Sequence, residues 1–256
     1  MRWLVISKKG IIYGFIAFLF ILGTFFVSFD KVVQVSKASK KLPIYAVERS
    51  DKKISISFDA AWGNEDTQQL IEILAKYDIK ATFFVVGQWV DKYPESVKAL
   101  FEAGHEIQSH SDKHPHMPKL SRDKMAEEIK TTADKIEAIT AVRPTLFRPP
   151  YGDYNDALIE VLESQSHYCI QWDVDSLDWK DPTPETIKTT VTKKVKPGSI
   201  VLFHNAAKNT PAALPSIIEA LQKDGYEFVK ISDIIYKENY TIDHTGRQIS
   251  NTLVSQ

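Results

Sequence analysis

The sequence predicts an α/β protein whose parallel strands form a distorted (β/α) barrel of about seven strands. From residue 54 onward, short runs rich in β-branched and aromatic residues alternate with helical patterns, which is typical of parallel strands joined by crossover helices. An open doubly wound sheet is the alternative architecture. No Gly-x-Gly-x-x-Gly follows the first strand, so a dinucleotide site is disfavoured in either case.

The alternation places each element along the chain. Strands are expected at 54–59, 81–86, 105–109, 146–148, 168–172, 199–203 and 226–229. Helices are expected at 66–78, 90–102, 121–140, 155–164, 184–194 and 212–223. The clearest helix is 121–140, because Ser121 can cap it and Met125, Ile129 and Ile136 share one apolar stripe.

The amino terminus predicts a membrane segment. Residues 11–29 carry no charge, and as a helix they would extend about 28 Å, close to the thickness of a bilayer core. Arg2, Lys8 and Lys9 precede the segment and Asp30 follows it, so the basic end is expected to stay cytoplasmic. We therefore expect a single-pass protein of the cell membrane with its main domain outside. A cleaved signal and secretion are the alternative.

This interpretation divides the chain into five parts. Residues 1–10 form a cytoplasmic basic segment, 11–29 the anchor or signal, and 30–50 a linker rich in Lys and Ser. Residues 51–236 form the main domain. Residues 237–256 are polar and lack periodicity, so they are expected to be a loosely held tail.

The composition excludes several classes of protein. Hydrophobic residues make up 43% and charged residues 25%, which is unlike disordered or collagen-like chains. The net charge of -1 gives no overall attraction to nucleic acid, so no nucleic-acid partner is expected. Cys169 is the single cysteine, which excludes a disulfide within the chain.

Polar residues follow five of the predicted strands. In a parallel barrel the active site lies at the carboxyl ends of the strands, so we expect these side chains to share one rim. The titratable candidates at these ends are Asp59, His110, His114, Arg148, Asp175, Asp178 and His204.

The spacing of two histidines indicates a metal site. His110 and His114 are four residues apart, which can present two neutral imidazoles to zinc or a similar divalent ion. Histidines in a loop are also often merely solvated.

The remaining candidates suggest an acid and a base. Asp59 ends an alternating strand, and Arg148 can pair with it and keep it ionised, as a general base requires. Asp59 is otherwise a helix cap. His204 closes an apolar run, where Asp175 or Asp178 can orient the ring and raise its pKa for proton donation. A plain buried histidine fits the run as well.

Five segments carry a family resemblance. They are Ser-Phe-Asp-Ala-Ala-Trp-Gly (57–63), His-Ser-Asp-Lys-His-Pro (110–115), Arg-Pro-Pro-Tyr-Gly (148–152), Asp-Ser-Leu-Asp-Trp (175–179) and Val-Leu-Phe-His-Asn (201–205). In this order they resemble the motifs of the NodB-type polysaccharide deacetylases, carbohydrate esterase family 4. The anchor followed by a single domain looks most like the PdaB-type sporulation deacetylases within that family.

The resemblance implies a metal-dependent hydrolase that removes acetyl groups from N-acetylated sugars of a cell-wall polysaccharide such as peptidoglycan. Zinc is the metal most expected. The resemblance implies that Asp59 is the general base, with Arg148 as its tether, and that His204 is the general acid. It implies that Asp178 orients His204, with Asp175 as the second choice, and that His110 and His114 are metal ligands. It further implies that the backbone near Tyr151 binds the oxyanion and that Trp179 and Leu202 line an acetate pocket.

The sequence departs from the family pattern at Ala60. The first motif of the family usually has two adjacent acids, the second of them a metal ligand, and Ala60 occupies that place. Three outcomes are open: weak binding through two histidines, replacement by Asp112 or Asp59, or an empty site in a protein that binds glycan without turnover. A glycosidase using Asp175 and Asp178 is a further alternative, but it leaves the histidines unexplained.

Overall fold

The computed structural model of the protein describes residues 8–9, 12–13, 15–19 and 40–251. The chain forms two compact units, Met1–Lys40 and Lys41–Gln256. Within the expected membrane segment 11–29, the described residues are helical, and the others lie outside the described part. No described helix has both the length and the apolarity needed to cross a bilayer. The anchor or signal, the cytoplasmic segment and most of the linker thus stay predictions.

Eleven strands are labelled in the described chain, and seven of them form a parallel half-barrel. The strands are β1 Ala46–Val47, β2 Lys53–Ala60, β3 Thr82–Val85, β4 Glu106–Ser109, β5 Leu146–Phe147, β6 Tyr168–Cys169, β7 Val174–Asp175, β8 Ile200–His204, β9 Glu227–Phe228, β10 Tyr240–Ile242 and β11 Arg247–Ser250. The order across the half-barrel is β6-β5-β4-β3-β2-β8-β7, with β9 paired to the start of β2. The predicted α/β fold with about seven parallel strands is confirmed.

One expected strand is shorter than predicted, and a further strand follows it. The sequence predicted a strand at 168–172, but β6 ends at Cys169 and pairs with β5. Strand β7, at Val174–Asp175, lies beyond the expected range and pairs with β8. Ile44 lies beside the break: its N–H donates to the Cys169 carbonyl at 2.9 Å, and its carbonyl accepts from Gln171 at 2.7 Å. These two hydrogen bonds form a parallel bridge between Ile44 and Ile170.

Eight labelled helices connect the strands in the described part of the main domain. They are α1 Thr67–Lys76, α2 Gly87–Lys92, α3 Pro94–Glu102, α4 Arg122–Thr140, α5 Asp156–Ser164, α6 Pro184–Thr192, α7 Thr210–Lys223 and α8 Ile231–Ile234. Ser121 caps α4 as expected, accepting from the Lys124 N–H. The expected helix 90–102 is two helices, because Tyr93 has an extended φ of -133° and Pro94 begins a new first turn.

The alternation in β2 separates an apolar face from a polar one. Ile54, Ile56 and Phe58 belong to the largest apolar cluster, together with residues of the surrounding helices. Ser57 and Asp59 lie on the opposite face, since side chains alternate along a strand. The polar face of β2 is therefore the one that can present a carboxylate to the inside of the half-barrel.

The expected polar tail is partly ordered, which corrects the prediction of a loosely held segment. Strands β10 and β11 pair antiparallel, and β11 pairs parallel with β1, which lies inside the expected linker. The fully buried Gln248 accepts the Tyr236 N–H at 2.8 Å and donates to the Tyr236 carbonyl at 2.7 Å. A polar side chain satisfied in this way can be buried, so low hydrophobicity did not mean disorder. Residues 252–256 lie outside the described part.

Candidate active site

The carboxyl ends of the strands surround a cleft of about 430 Å³. Its lining residues are Asp59, Ala61, Trp62, His110, His114, Tyr151, Trp172, Asp175, Trp179, Leu202, His204 and Asn205. Arg148 and Asp178 contact lining residues from behind the wall. All of the sequence-predicted site residues are therefore in the cleft or in direct contact with it.

Asp59 and Arg148 form a buried ion pair at the base of the cleft. Arg148 Nη1 donates to Asp59 Oδ1 at 2.8 Å, and Arg148 Nη2 donates to Ser57 Oγ at 2.9 Å. The Arg148 side chain is 0% exposed, and its guanidinium lies 4.1 Å from the centre of the Phe84 ring. Breaking such a pair leaves a buried charge without compensation, so the two side chains fix each other in place.

The surroundings of Asp59 favour its ionised form. Burial acts to raise the pKa of this carboxyl, but the charge of Arg148 and the hydrogen bond from it act in the opposite direction, helped by His110 and His204. The net effect lowers the pKa below its ordinary value. Asp59 is therefore an ionised carboxylate, with the Oδ2 atom left free of Arg148.

His110 and His114 lie together beside this carboxylate. Their ring centres are 4.9 Å apart, and Nε2 of His110 is 3.5 Å from Oδ2 of Asp59. The Nδ1 atom of His110 is bonded to the Arg148 carbonyl at 2.7 Å, which directs the other nitrogen toward Asp59. Burial lowers the pKa of His110, and it lowers that of His114 to about 4. Both rings are thus neutral at pH 7, the state that a metal ligand requires.

The loop that carries the two histidines is held by helix α4. One carboxylate oxygen of Glu128 accepts the backbone N–H groups of Asp112 and Lys113, at 2.8 and 2.9 Å. The Ser111 hydroxyl accepts the His114 N–H at 3.0 Å. Ser111 and His114 have positive φ values of 66° and 57°, which side chains other than glycine rarely adopt. The hydrogen bonds stabilise a backbone that would otherwise relax.

The same loop closely approaches the start of α2. A Cβ atom at Gly87 would lie 2.1 Å from Asp112 Oδ1, so only glycine fits there. Asp112 Oδ1 forms an ion pair with Lys135 at 2.6 Å, and Asp112 is not among the residues that line the cleft. Asp112 is therefore committed to supporting the loop and does not replace the missing acid.

The residues present do not complete a catalytic zinc site. Ala60 is 1% exposed and belongs to the largest apolar cluster, so it supplies a methyl group and no oxygen. Within residues 40–251 and the short helical stretches before them, no three His, Cys, Asp or Glu side chains are grouped to hold a metal ion. A catalytic zinc normally has three protein ligands. The two imidazoles fall short of that set, although the buried Nδ1 of His114 has no hydrogen-bond partner in the described chain.

His204 faces the cleft from β8 and is held by Asp178. Nδ1 of His204 is 2.8 Å from Asp178 Oδ1, while the His204 backbone N–H donates to Asp178 Oδ2 at 2.9 Å. The Thr210 hydroxyl also donates to Oδ2, at 2.7 Å. Asp175 instead accepts the Leu177 N–H at 2.8 Å. Of the two orienting acids that the sequence left open, Asp178 is the one that contacts His204.

The environment of His204 favours the protonated ring. Burial acts to lower the pKa of His204, but the hydrogen bond to Asp178 and the charges of Asp59, Asp178 and Asp175 raise it above the ordinary 6.5. Asp59 and His204 therefore hold opposite protonation preferences within one cleft. Such a separation is typical of an acid and base pair.

Aromatic side chains form the rim. The side chains of Trp62 and Trp179 are 66% and 56% exposed, which is unusual for such large apolar groups. Tyr151 stacks on His116 with ring centres 4.3 Å apart and lies edge-on to His114 at 4.6 Å. Tyr151 has a positive φ of 61°, so its turn is strained in the way often seen at functional sites. Leu202 lines the cleft as expected.

Several contributing residues were not singled out by sequence. The Asn205 amide donates to the carbonyls of Trp62 and Gly63, both at 2.7 Å, and thereby fixes the loop that carries Trp62. Asn205 directly follows the candidate His204 in the sequence, a signal that could have identified it. Gln171, whose carbonyl accepts from Arg148 at 3.2 Å, gave no signal, because the accepting group belongs to the backbone.

Known proteins resemble the chain in both sequence and fold. The family described as polysaccharide deacetylase matches residues 46–170. The peptidoglycan-N-acetylmuramic acid deacetylase PdaC of Bacillus subtilis is 36% identical over 73% of this chain, but the match spans only 40% of PdaC. A peptidoglycan-N-acetylglucosamine deacetylase of Bacillus cereus is 34% identical over 75% of this chain and 92% of its own length.

A solved structure adds a relevant neighbour. The CE4 family pseudoenzyme BA3943 of Bacillus anthracis superposes with a TM-score of 0.73 at 35% identity, covering 76% of this chain and 69% of the other. A mutant of BA3943 with restored enzymatic activity matches equally well, with a TM-score of 0.73. Together with the five motifs and the half-barrel, these similarities establish that the chain belongs to the polysaccharide deacetylase family.

Proposed function

We propose that the protein is a hydrolase that removes N-acetyl groups from a cell-wall glycan such as peptidoglycan, with turnover limited by Ala60. The observation that carries this proposal is the pairing of opposite protonation preferences across one cleft. Arg148 helps to lower the pKa of Asp59, and Asp178 helps to raise the pKa of His204. Amide hydrolysis requires both, because one proton must leave the attacking water and another must reach the departing nitrogen.

The residues divide the reaction between them. Asp59 accepts a proton from the water whose oxygen forms a bond to the acetyl carbon. His204 gives its proton to the sugar nitrogen as the amide C–N bond breaks, so the products are acetate and a free amine. The backbone N–H near Tyr151 is the proposed donor to the oxyanion. Trp179 and Leu202 would surround the acetyl methyl group.

Asp59 and His204 supply both proton transfers of the proposed reaction. The resemblance implies a divalent ion, but the described residues of the cleft provide it with two imidazoles and no grouped third ligand. Loss of a first ligand should weaken affinity by more than the roughly 10- to 100-fold that outer partners cost. We therefore expect slow hydrolysis, with Asp59 serving as a base.

The location of the protein is part of the proposal. A basic start followed by the uncharged residues 11–29 supports a single-pass protein of the cell membrane, with the main domain facing the wall. Secretion after cleavage remains the alternative. In both cases the cleft would meet a polysaccharide outside the cytoplasm.

A second candidate function is glycan binding without turnover. Ala60 favours it, as does similarity to BA3943, which is a pseudoenzyme. A glycosidase that uses Asp175 and Asp178 is disfavoured, because Asp178 is 0% exposed and already accepts three hydrogen bonds or ion-pair contacts.

Acetate release from peptidoglycan fragments distinguishes these functions. The full chain is expected to release acetate slowly, and His204→Ala should abolish the release while His244→Ala, an exposed control, should not. Fragment binding that survives His204→Ala, with no acetate released by either protein, would contradict hydrolysis and favour the binding function. New reducing ends would indicate a glycosidase.

A further inference from the structure

A second cleft, at the opposite ends of the strands, has four cations among its eight lining residues. It has a volume of about 610 Å³. Its lining residues are Tyr45, Ala46, Asp173, Lys193, Lys194, Lys196, Thr245 and Arg247. The turn that carries Lys196 leads directly into Ile200, the first residue of β8, whereas His204 ends the same strand in the active cleft. The two clefts can therefore be occupied at the same time.

Three of the four cations of this cleft have no acidic partner among the described residues. The ammonium groups of Lys193, Lys194 and Lys196 have no hydrogen-bond or ion-pair partner in the described chain. Asp173 is the single carboxylate of the lining, and its two oxygens accept from Ser199 Oγ at 2.8 Å and the Ile200 N–H at 2.9 Å. Arg247 Nη1 lies 3.5 Å from Glu48 Oε2, so the three lysines are the free cations of the lining. In a chain of net charge -1 they create a local attraction for anions.

The backbone around the cations is firmly held. The Val47 N–H donates to the Gly198 carbonyl at 2.9 Å. A Cβ atom at Gly198 would lie 1.8 Å from the Val47 carbonyl oxygen, so the two segments touch. Arg247 Nη1 donates to the Val47 carbonyl at 3.0 Å, which fixes the guanidinium on the opposite wall. The cleft is thus a preformed concave surface made by three distant segments.

A purely structural explanation accounts for only part of the cluster. Cations near the carboxyl end of a helix interact favourably with its dipole, which explains Lys193 just after α6. It does not explain Lys196, which lies beyond that turn, or Arg247, which comes from β11.

We propose that this cleft binds a phosphodiester-linked polyol polymer, an extended chain with a negative charge at each repeat. Arginine offers a planar fork to phosphate oxygens and lysine a flexible point charge, so the lining suits phosphates in varied positions. A concave cleft accepts a single chain, whereas the headgroups of a membrane form a flat surface. This inference is independent of the hydrolytic function of the other cleft.

Binding of a fluorescent glycerol-phosphate oligomer to the full chain in neutral detergent micelles tests the proposal. The triple variant Lys193→Gln/Lys194→Gln/Lys196→Gln should bind at least about tenfold more weakly, and added salt should weaken binding by the parent chain. The matched control is Lys76→Gln/Lys98→Gln/Lys130→Gln, which removes the same charge from exposed positions elsewhere and should bind normally. Equal unfolding midpoints for both triple variants establish that the fold is intact.

Two results would overturn the inference. One is oligomer binding that is unchanged in the cleft variant or equally reduced in the control, since the charge of the cleft would then be irrelevant. The other concerns the source of the phosphate. Soluble glycerophosphoglycerol, the headgroup of an anionic lipid, should compete much more weakly than the oligomer at equal phosphate concentration, because a polymer engages several cations together. Equal competition would point to a lipid surface instead.

Discussion

Asp178 holds His204 at two points: its Oδ1 atom is 2.8 Å from the ring Nδ1, and its Oδ2 atom accepts the His204 backbone N–H at 2.9 Å. The ring cannot rotate without losing the first of these contacts. Its position and its protonation state therefore depend on the same buried carboxylate.

Asp178→Asn should lower the pKa of His204, because it removes the hydrogen-bonded charge that favours the imidazolium. An NMR titration of the His204 ring measures this directly, without requiring turnover. The matched control is Asp175→Asn, whose carboxylate bonds to Leu177 and not to His204, and which should have a much smaller effect. Equal shifts in both variants would mean that general charge, and not the contact, controls the ring.

The same pair predicts how stability depends on pH. A histidine whose folded pKa is raised contributes stability that is fully present below the unfolded value of about 6.5 and is lost as pH rises through the folded value. The free energy of unfolding should therefore fall over the range just above pH 6.5, and this loss should be smaller in Asp178→Asn. Urea unfolding at a series of pH values provides the measurement. An identical pH dependence in the two proteins would contradict the assignment.

Arg148→Met should lower the free energy of unfolding by about 3 to 5 kcal/mol, because it leaves Asp59 charged and buried without its partner. Adding Asp59→Asn should recover part of the loss by removing that charge. Urea unfolding of the single and double variants tests this expectation. If the double variant is no more stable than Arg148→Met, the cost is one of lost packing against Phe84 and not of charge.

Ala60→Asp should create tight metal binding, because it restores the second acid that the first motif of the family usually carries. Zinc content after dialysis should rise, with affinity increasing more than about tenfold, and zinc should raise the unfolding temperature of this variant more than that of the parent chain. Ala60→Asn is the control of similar shape without the charge. Equal zinc retention by the parent chain and Ala60→Asp would show that the absent carboxylate is not what limits the site.

Glu128→Gln should loosen the loop that carries the two histidines, because a charged oxygen that accepts two backbone N–H groups is replaced by a neutral one. Amide exchange at Asp112 and Lys113 should accelerate by about tenfold, which corresponds to roughly 1.4 kcal/mol. Glu127→Gln, on the exposed side of the same helix, is the control. Unchanged exchange in Glu128→Gln would mean that the Ser111 hydrogen bond and the Asp112 ion pair suffice.

Trp62→Ala and Trp179→Ala should each weaken binding of an N-acetylated glycan oligomer by about 2- to 10-fold, since a stacked aromatic ring contributes roughly 0.5 to 1.5 kcal/mol. Stability should change little, because both side chains are more than half exposed. Val142→Ala, another exposed apolar position, is the control, and calorimetric titration measures the affinities. Full affinity in both tryptophan variants would exclude the rim as a glycan platform.

The sequence predicted the barrel and the convergence of the rim because both depend on local pattern. Alternation located β2 and therefore the face on which Asp59 lies, and the topology of parallel strands then brought His110 and His204 to the same end. The break after Cys169 was not predictable in this way. Ile44, more than a hundred residues away in the sequence, forms a parallel bridge with Ile170 there, and local pattern does not reveal such a distant contact.

Polar contacts between distant segments were also not predictable from the sequence. Glu128 looks like an ordinary half-exposed acid on an amphipathic helix, and only the fold brings it to the backbone of Asp112. Gln248 likewise looks like part of a solvated tail until Tyr236 is placed beside it. In both cases the decisive partner is a backbone group, and a backbone group leaves no trace in the side-chain pattern.

The pairing of β1 with β11 extends the domain to at least Ser250. The polar composition of the last residues had placed its end at residue 236. Strands β1 and β11 are hydrogen-bonded to each other. Removal of either strand therefore leaves the other with unpaired backbone groups along one edge. A version of the protein shortened after residue 236 would remove the partner strand of β1 and would expose the apolar cluster that contains Ile44. The smallest intact piece therefore has to retain the last strand, although that strand lies nowhere near the chemistry.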